Sequence, residues 1–254
     1  GGQGERTPDD LPAYKNEEIH RVTFSPPFRP LHSVSLKLPA GFVDLQLRPL
    51  SNAAQFPLAV KFSDLPPLVK FAAAPFGIIE AGPGPGAAVP LTLRGVEASL
   101  PIRALPLSGR TLRVDTDQHI WKWLNRVKAY HETLLPLGKD KSIESRRVSL
   151  LNNEQTATRL AIPVKPDAQG KWPFEVVGLP TPKPGLYIFE VESRLLGTRL
   201  LGSNTPMYVR TAALVTNMAV HFKQSRENAA VWVTSLDRAE PVSGASVAIY
   251  DCQG

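Results

Sequence analysis

The 254-residue chain holds 25 prolines, 18 glycines, five histidines and one cysteine, and its net charge is +6. Proline at about twice its usual ~5 % share excludes a helical bundle or coiled coil, since each proline inside a helix costs ~3 kcal/mol. Apolar residues at 43 % and charged residues at 20 % exclude wholesale disorder, and the longest nearly apolar stretch, Phe71 to Ile79, is far short of the ~20 residues that span a bilayer.

Residues 1–30 read as an exposed leader. Positions 1–20 hold five acids against two bases, a local charge of −3 that leaves +9 on the rest. No signal-peptide pattern is read at Gly1-Gly2-Gln3-Gly4. From residue 31 to 114, period-2 alternation recurs between Pro and Gly punctuation, as short antiparallel strands require. Val34, Leu36 and Leu38 are followed by Val43, Leu45 and Leu47, and then by Leu58, Val60 and Phe62. Ile78 and Ile79 run into Gly82-Pro83-Gly84-Pro85-Gly86, which reads as a hairpin loop before Val89, Leu91 and Leu93. Ile102, Leu105, Leu107, Leu112 and Val114 close the region. This strand density predicts a β-sandwich over 31–114.

Between Asp115 and Leu135 there is neither Pro nor Gly, and the apolar period becomes 3.6. Ile120, Trp123, Leu124, Val127, Tyr130, Leu134 and Leu135 fall on one side, which predicts an amphipathic helix at about 117–135. Trp121 lies at the rim of that stripe, placed either to meet a second surface or to stay half exposed. Strands then resume at Val148 and Leu150, at Leu160, Ile162 and Val164, and at Trp172, Phe174 and Val176. The turn Pro180-Thr181-Pro182-Lys183-Pro184-Gly185 leads into Leu186-Tyr187-Ile188-Phe189. Pro-Gly-x-Tyr entering an apolar strand is a mark of immunoglobulin-like modules, the tyrosine hydroxyl reaching nearby backbone. A second sandwich is therefore expected over 115–205. A third begins near 206, with strands at Met218–Phe222, Val231–Val233 and Ser246–Asp251. Its strands make about half a sandwich, which would leave an apolar face and an edge open, so 206–254 is expected to be a truncated domain.

Chemistry is sparse. His131-Glu132 begins like a metalloprotease helix, but position 135 is Leu, so the second imidazole is missing. His20, His32, His119 and His221 are isolated, and no metal site is expected. Gly138-Lys139 lacks the remainder of a phosphate loop, and prolines fill Gly82-x-Gly84-x-Gly86 where a dinucleotide loop would need a helix start. The paired acids Glu17, Glu18 and Glu190, Glu192 give weak grounds for acid/base work. One cysteine builds no internal disulfide framework. Cys252 reads first as a passive turn thiol, then as a partner for a cysteine outside these residues, and last as a nucleophile. A pI near 9.5 raises nucleic-acid binding, yet the bases are scattered and Lys139–Arg147 contains Asp140 and Glu144 and no aromatic residue. No catalytic, cofactor-binding or metal residue is assigned.

Three segments carry a resemblance. The run from Tyr208-Val209-Arg210-Thr211 through Leu214-Val215-Thr216-Asn217, Val231-Trp232-Val233-Thr234 and Pro241-Val242-x-Gly244-Ala245-x-Val247 to Tyr250-Asp251-Cys252 resembles the opening of a macroglobulin domain of bacterial alpha-2-macroglobulins. Leu65-Pro66-Pro67-Leu68-Val69-Lys70-Phe71 to Glu80 is similar to an upstream segment of those proteins, as is Lys183-Pro184-Gly185-Leu186-Tyr187. The resemblance implies a mainly β fold of tandem immunoglobulin-like (macroglobulin) sandwiches. It implies a large periplasmic protease inhibitor, lipid-anchored to the inner membrane, that traps proteases after bait cleavage and links them through a Cys-x-x-Gln thioester. Gln253 directly follows Cys252, so that motif is not matched here. The implied role is a non-enzymatic scaffold without cofactors. Its implied partners are trapped proteases, neighbouring macroglobulin domains and a cell-wall synthase of the penicillin-binding class, with no nucleic acid and no membrane insertion. The alternatives from the residues alone are a tandem adhesin or surface stalk, and an accessory sandwich of a secreted glycan-processing enzyme.

Overall fold

The computed structural model describes residues 21–25, 28–44, 46–82, 86–96, 107–160, 162 and 174–251. The expectations at the leader residues 1–20, Ile102, Leu105, Val164, Trp172 and Cys252 lie outside these. The chain divides into two compact units, 1–65 and 66–254.

In the first unit, β1 (Ser33–Leu36) pairs antiparallel with β2 (Leu58–Lys61). The Phe28 and Phe62 rings stack with centroids 5.1 Å apart. No described residue of this unit is buried. A two-stranded sheet without a covered face is marginal by itself, so the sandwich expected over 31–114 does not form from these strands.

The core of the second unit is built on two sheets. β5 (Ala87–Arg94) lies between β3 (Leu68–Phe71) and β10 (Glu175–Thr181) in an antiparallel three-stranded sheet. The other sheet has five strands: β4 (Phe76–Glu80), β12 (Met207–Thr216), β11 (Gly185–Ser193), β6 (Ser108–Val114) and β9 (Thr158–Arg159), in that order. Only β4 with β12 is parallel. Strands before residue 114 and after 175 thus share both sheets, and β12 belongs to this sandwich rather than to a third module. The boundaries expected at 114/115 and 205/206 do not separate the sheets, because strand pairing is decided by partners far apart in sequence. The Gly-Pro loop also differs from the expected hairpin: β4 and β5, on either side of it, lie in different sheets.

The strands form where the residues predict, but burial reads differently. β11 is buried on both faces: Tyr187, Phe189 and Val191 enter the core between the sheets, while Leu186 and Ile188 enter a second core. That double burial explains its unbroken apolar run, which alternation alone would not produce. β10 buries Val177 and Leu179 and exposes Phe174 and Val176, the opposite phase to that expected. Pro90 sits inside β5 without breaking the sheet, because β3 pairs only with Leu91–Arg94. Tyr187 meets its expectation: its hydroxyl donates to Lys183 O at 2.8 Å and accepts from Lys183 N–H at 3.3 Å.

Helix α1 (Asp117–Ala129) covers the outer face of the five-stranded sheet with Trp123 and Val127, and Ile120 and Leu124 pack at its margin. The Arg126 guanidinium lies over the Trp123 ring at 4.8 Å. The helix stops six residues before the expected end at 135. Tyr130 O, which a continuing helix would give to Leu134 N–H, instead accepts from Arg210 Nη1 at 3.3 Å. Leu134 and Leu135 then pair in a hairpin of β7 (Leu134–Pro136) and β8 (Ser142–Glu144). Val148 and Leu150 are not a strand; Leu150 and Leu151 plug the second core from an irregular segment. A second helix, α2 (Arg194–Leu201), follows β11 directly. Ser193 Oγ caps it by accepting from Leu196 N–H at 3.0 Å.

Gly197 fixes how α2 meets the sheet. A Cβ there would lie 1.9 Å from Thr205 O, a rigid backbone atom. Gly197→Ala is expected to cost about 3 kcal/mol or more and to lower Tm by roughly 6 °C or more. An unchanged melting midpoint by circular dichroism would contradict the close approach.

Candidate functional site

Three features of the second unit are candidates for function: a buried ion pair, a cleft beside it, and an exposed hairpin. The ion pair comes from register. Glu190 on β11 stands directly opposite Arg210 on β12, on the face covered by α1. Both are buried, and Arg210 Nε lies 3.3 Å from Glu190 Oε2 without hydrogen-bond alignment. Glu190 also accepts from Ser149 Oγ (2.5 Å), Leu150 N–H (2.7 Å) and Leu151 N–H (3.1 Å). Arg210 Nη2 donates to Ser145 O (3.1 Å) and Val148 O (2.6 Å), and its guanidinium sits 5.6 Å from the Tyr130 ring. Burial pushes the Arg210 guanidinium below its ordinary value, with the Glu190 carboxylate opposing. Both oxygens of Glu190 accept hydrogen bonds from residues 149–151, so the carboxylate ties that segment to β11.

Beside this pair lies a cleft of about 900 Å³ between β3, the start of β12 and the segment 130–134. His131, which with Glu132 begins like a metalloprotease helix in the sequence, is half-buried on this wall just past the helix end. Glu132 follows with φ +42° and is exposed. Glu144, on the cleft's rim, is held below the usual carboxylate range, first by its hydrogen bond to Arg146 and then by the charges of Arg146 and Arg147. Tyr208 has its phenol pushed up, by burial first and then by the charge of Glu192. No group of three or more His, Cys, Asp or Glu side chains suited to a metal ion occurs among the described residues.

The third feature follows β12. Strands β13 (Met218–Gln224) and β14 (Ala229–Ser235) form a hairpin closed by Ser225 and Asn228, whose backbones meet at 2.7 Å. Met218, Val220 and Phe222 share one face with Val231 and Val233 by register. That face is open along β13, with Val220 62 % and Phe222 52 % exposed, while Val231 is half-buried and Val233 buried on β14. Trp232, 61 % exposed, stands on the opposite face across from His221. The strand expected at Ser246–Asp251 is not paired, since no described strand lies beside it. Val247 and Ile249 remain exposed there, while Tyr250 OH donates to Asp117 Oδ2 at 3.3 Å.

Residues 215–254 match the family model described as the bacterial alpha-2-macroglobulin MG3 domain. That match bears out the resemblance of this last segment to a macroglobulin domain of bacterial alpha-2-macroglobulins. It covers the hairpin and the unpaired segment after it, so the open face belongs to the macroglobulin-like part. A solved structure of native alpha-2-macroglobulin from Escherichia coli, spanning domains MG0-NIE-MG1, is similar over 72 % of this chain and 49 % of its own, at 13 % identity and TM-score 0.36. The chain thus spans about half the length of that structure. No curated protein sequence matches the chain.

Of the residues weighed from the sequence, His131, Glu132 and Glu144 line the cleft; His119 and His221 are exposed and do not line it, and His32, in the first unit, is exposed. Trp121 is half-buried on α1. The ion pair went unread, although Glu190 inside an otherwise apolar run was its signal.

Two outcomes follow. Glu190→Ala strands a buried guanidinium and two backbone N–H groups, and is expected to cost about 3–5 kcal/mol. Arg210→Leu leaves Glu190 with three donors and should cost less; equal losses in urea titration would contradict the asymmetry. For Glu144, whose folded value is depressed, the stabilising contribution is complete above its ordinary 4.5 and is lost as pH falls through the lower folded value. Hydrogen exchange in 134–144 is expected to accelerate across that range, and Glu144→Gln should flatten the dependence.

Proposed function

We propose that the chain is a non-catalytic scaffold segment of a bacterial alpha-2-macroglobulin-like inhibitor that traps attacking proteases in the periplasm. The observation that carries this reading is the open apolar face of β13 and β14 inside the segment matching an MG3 domain. Two strands with an uncovered face do not make a stable domain. Such a face is suited to joining further strands of a macroglobulin sandwich, while the two packed sheets and α1 form the block that carries it. In this reading the chain positions the trap, and bait cleavage and covalent capture belong to other parts of the parent, a lipid-anchored protein. Neighbouring macroglobulin domains are its first partners, with trapped proteases and a cell-wall synthase engaged by the whole protein.

Incubated with methylamine and with trypsin, the chain should show no mass increase in intact-mass spectrometry and should not slow cleavage of a protein substrate. Deleting residues 66–251 from the parent should abolish retention of trypsin in a high-molecular-mass complex that still cleaves a small chromogenic peptide. Methylamine incorporation or a covalent trypsin adduct on the isolated chain would overturn the scaffold role. A parent that traps normally without these residues would do the same.

A further inference from the structure

The cleft of about 900 Å³ arises because one edge of the sandwich splits. The chain leaves the three-stranded sheet at Phe71 and joins the five-stranded sheet at Phe76. The crossing is tied to β12 by two hydrogen bonds: Thr211 Oγ1 donates to Ala73 O at 2.6 Å, and Ala212 N–H donates to Pro75 O at 2.8 Å. β4 then pairs with β12 only from Ala212 to Thr216. Along Met207–Thr211 that edge of β12 has no neighbouring strand among the described residues, and the outer edge of β3 across the cleft has none either.

The direction of the free groups follows from the strand's period. Ala212 turns its N–H toward β4, so Arg210 and Tyr208, two and four residues back, turn theirs the same way. Backbone groups at a strand edge are a template for a further strand. The walls are matched in charge. Arg210 is neutralised by Glu190 and Glu144 by Arg146, which leaves Lys70 and Glu132 as one unpaired cation and one unpaired anion. The apolar lining comes from Leu68, Leu134 and Met207, and Leu134 is 64 % exposed. A neutral cleft with an open main-chain edge selects an extended, uncharged segment, and the volume lies at the upper end of the ~300–1,000 Å³ usual for binding pockets.

We propose that this cleft docks an extended, uncharged peptide segment of another protein, added as a strand along Met207–Arg210 in line with β4. Main-chain hydrogen bonds supply the affinity, and alternate side chains are read by Leu134 on one side and Leu68 on the other. The proposal stands on the second unit's own geometry and does not depend on the protease-trap reading.

The probe is a fluorescein-labelled, end-capped heptapeptide of alternating Thr and Val, titrated with the whole chain and read by fluorescence anisotropy. Saturable binding is expected, weakened roughly tenfold by Leu134→Asp at unchanged Tm, since that side chain is exposed. A peptide N-methylated at alternate amides, which cannot pair as a strand, should not bind. Absence of saturable binding, equal binding of the N-methylated peptide, or no effect of Leu134→Asp would overturn the proposal. So would concentration-dependent self-association in sedimentation velocity that Leu134→Asp abolishes, because the occupant would then be a second copy of the chain.

Discussion

A strand buried on both faces has no solvent to receive a polar side chain, so each polar group on it needs partners inside the protein. β11 has five apolar side chains in two cores and one buried carboxylate, Glu190, directly opposite Arg210. The two charges do more than neutralise each other. Glu190 gathers the hydroxyl of Ser149 and the amides of Leu150 and Leu151, and Arg210 gathers the carbonyls of Tyr130, Ser145 and Val148. An irregular stretch is thereby fastened to the five-stranded sheet. The end of α1, the hairpin of β7 and β8 and the insertion of Leu150 and Leu151 into the second core all follow from those bonds.

The same clamp shapes the surface. By taking the Tyr130 carbonyl it turns the chain away from the sheet at His131, and that turn forms one wall of the cleft. The opposite wall exists because β3 and β4 are nearly continuous in sequence yet lie in different sheets. The hairpin of β13 and β14 contrasts with both. It has strong local turn chemistry at Ser225 and Asn228 but no second sheet among the described residues, and Met218, Val220, Phe222 and Trp232 stay exposed while Val233 is buried. A rigid three-layer block therefore carries an incomplete one, an arrangement suited to a link in a larger assembly.

Much of the fold class was legible because proline and period-2 alternation act locally. The start of α1, the strands around Val89–Leu93 and Met218–Phe222, and the Tyr187 hydroxyl reaching Lys183 are all settled within a few residues. The candidate sites were legible only in part. The open face of the last segment could be anticipated by counting strands, whereas the cleft joins residues near 70, 131 and 208 and left no local mark.

By itself, then, the sequence determined strand-forming segments, one helix start, the tyrosine corner and the resemblance of the last segment to a macroglobulin domain, since each depends on neighbouring residues. Tertiary structure decided which strands share a sheet, where α1 ends and which phase of β10 is buried. It also decided that strands from 68–94 and 175–216 make one sandwich, because their pairing partners lie more than eighty residues apart. The proline count that first excluded helical folds is satisfied by strands that place proline where no neighbour needs its missing N–H, as Pro90 does beyond the end of β3.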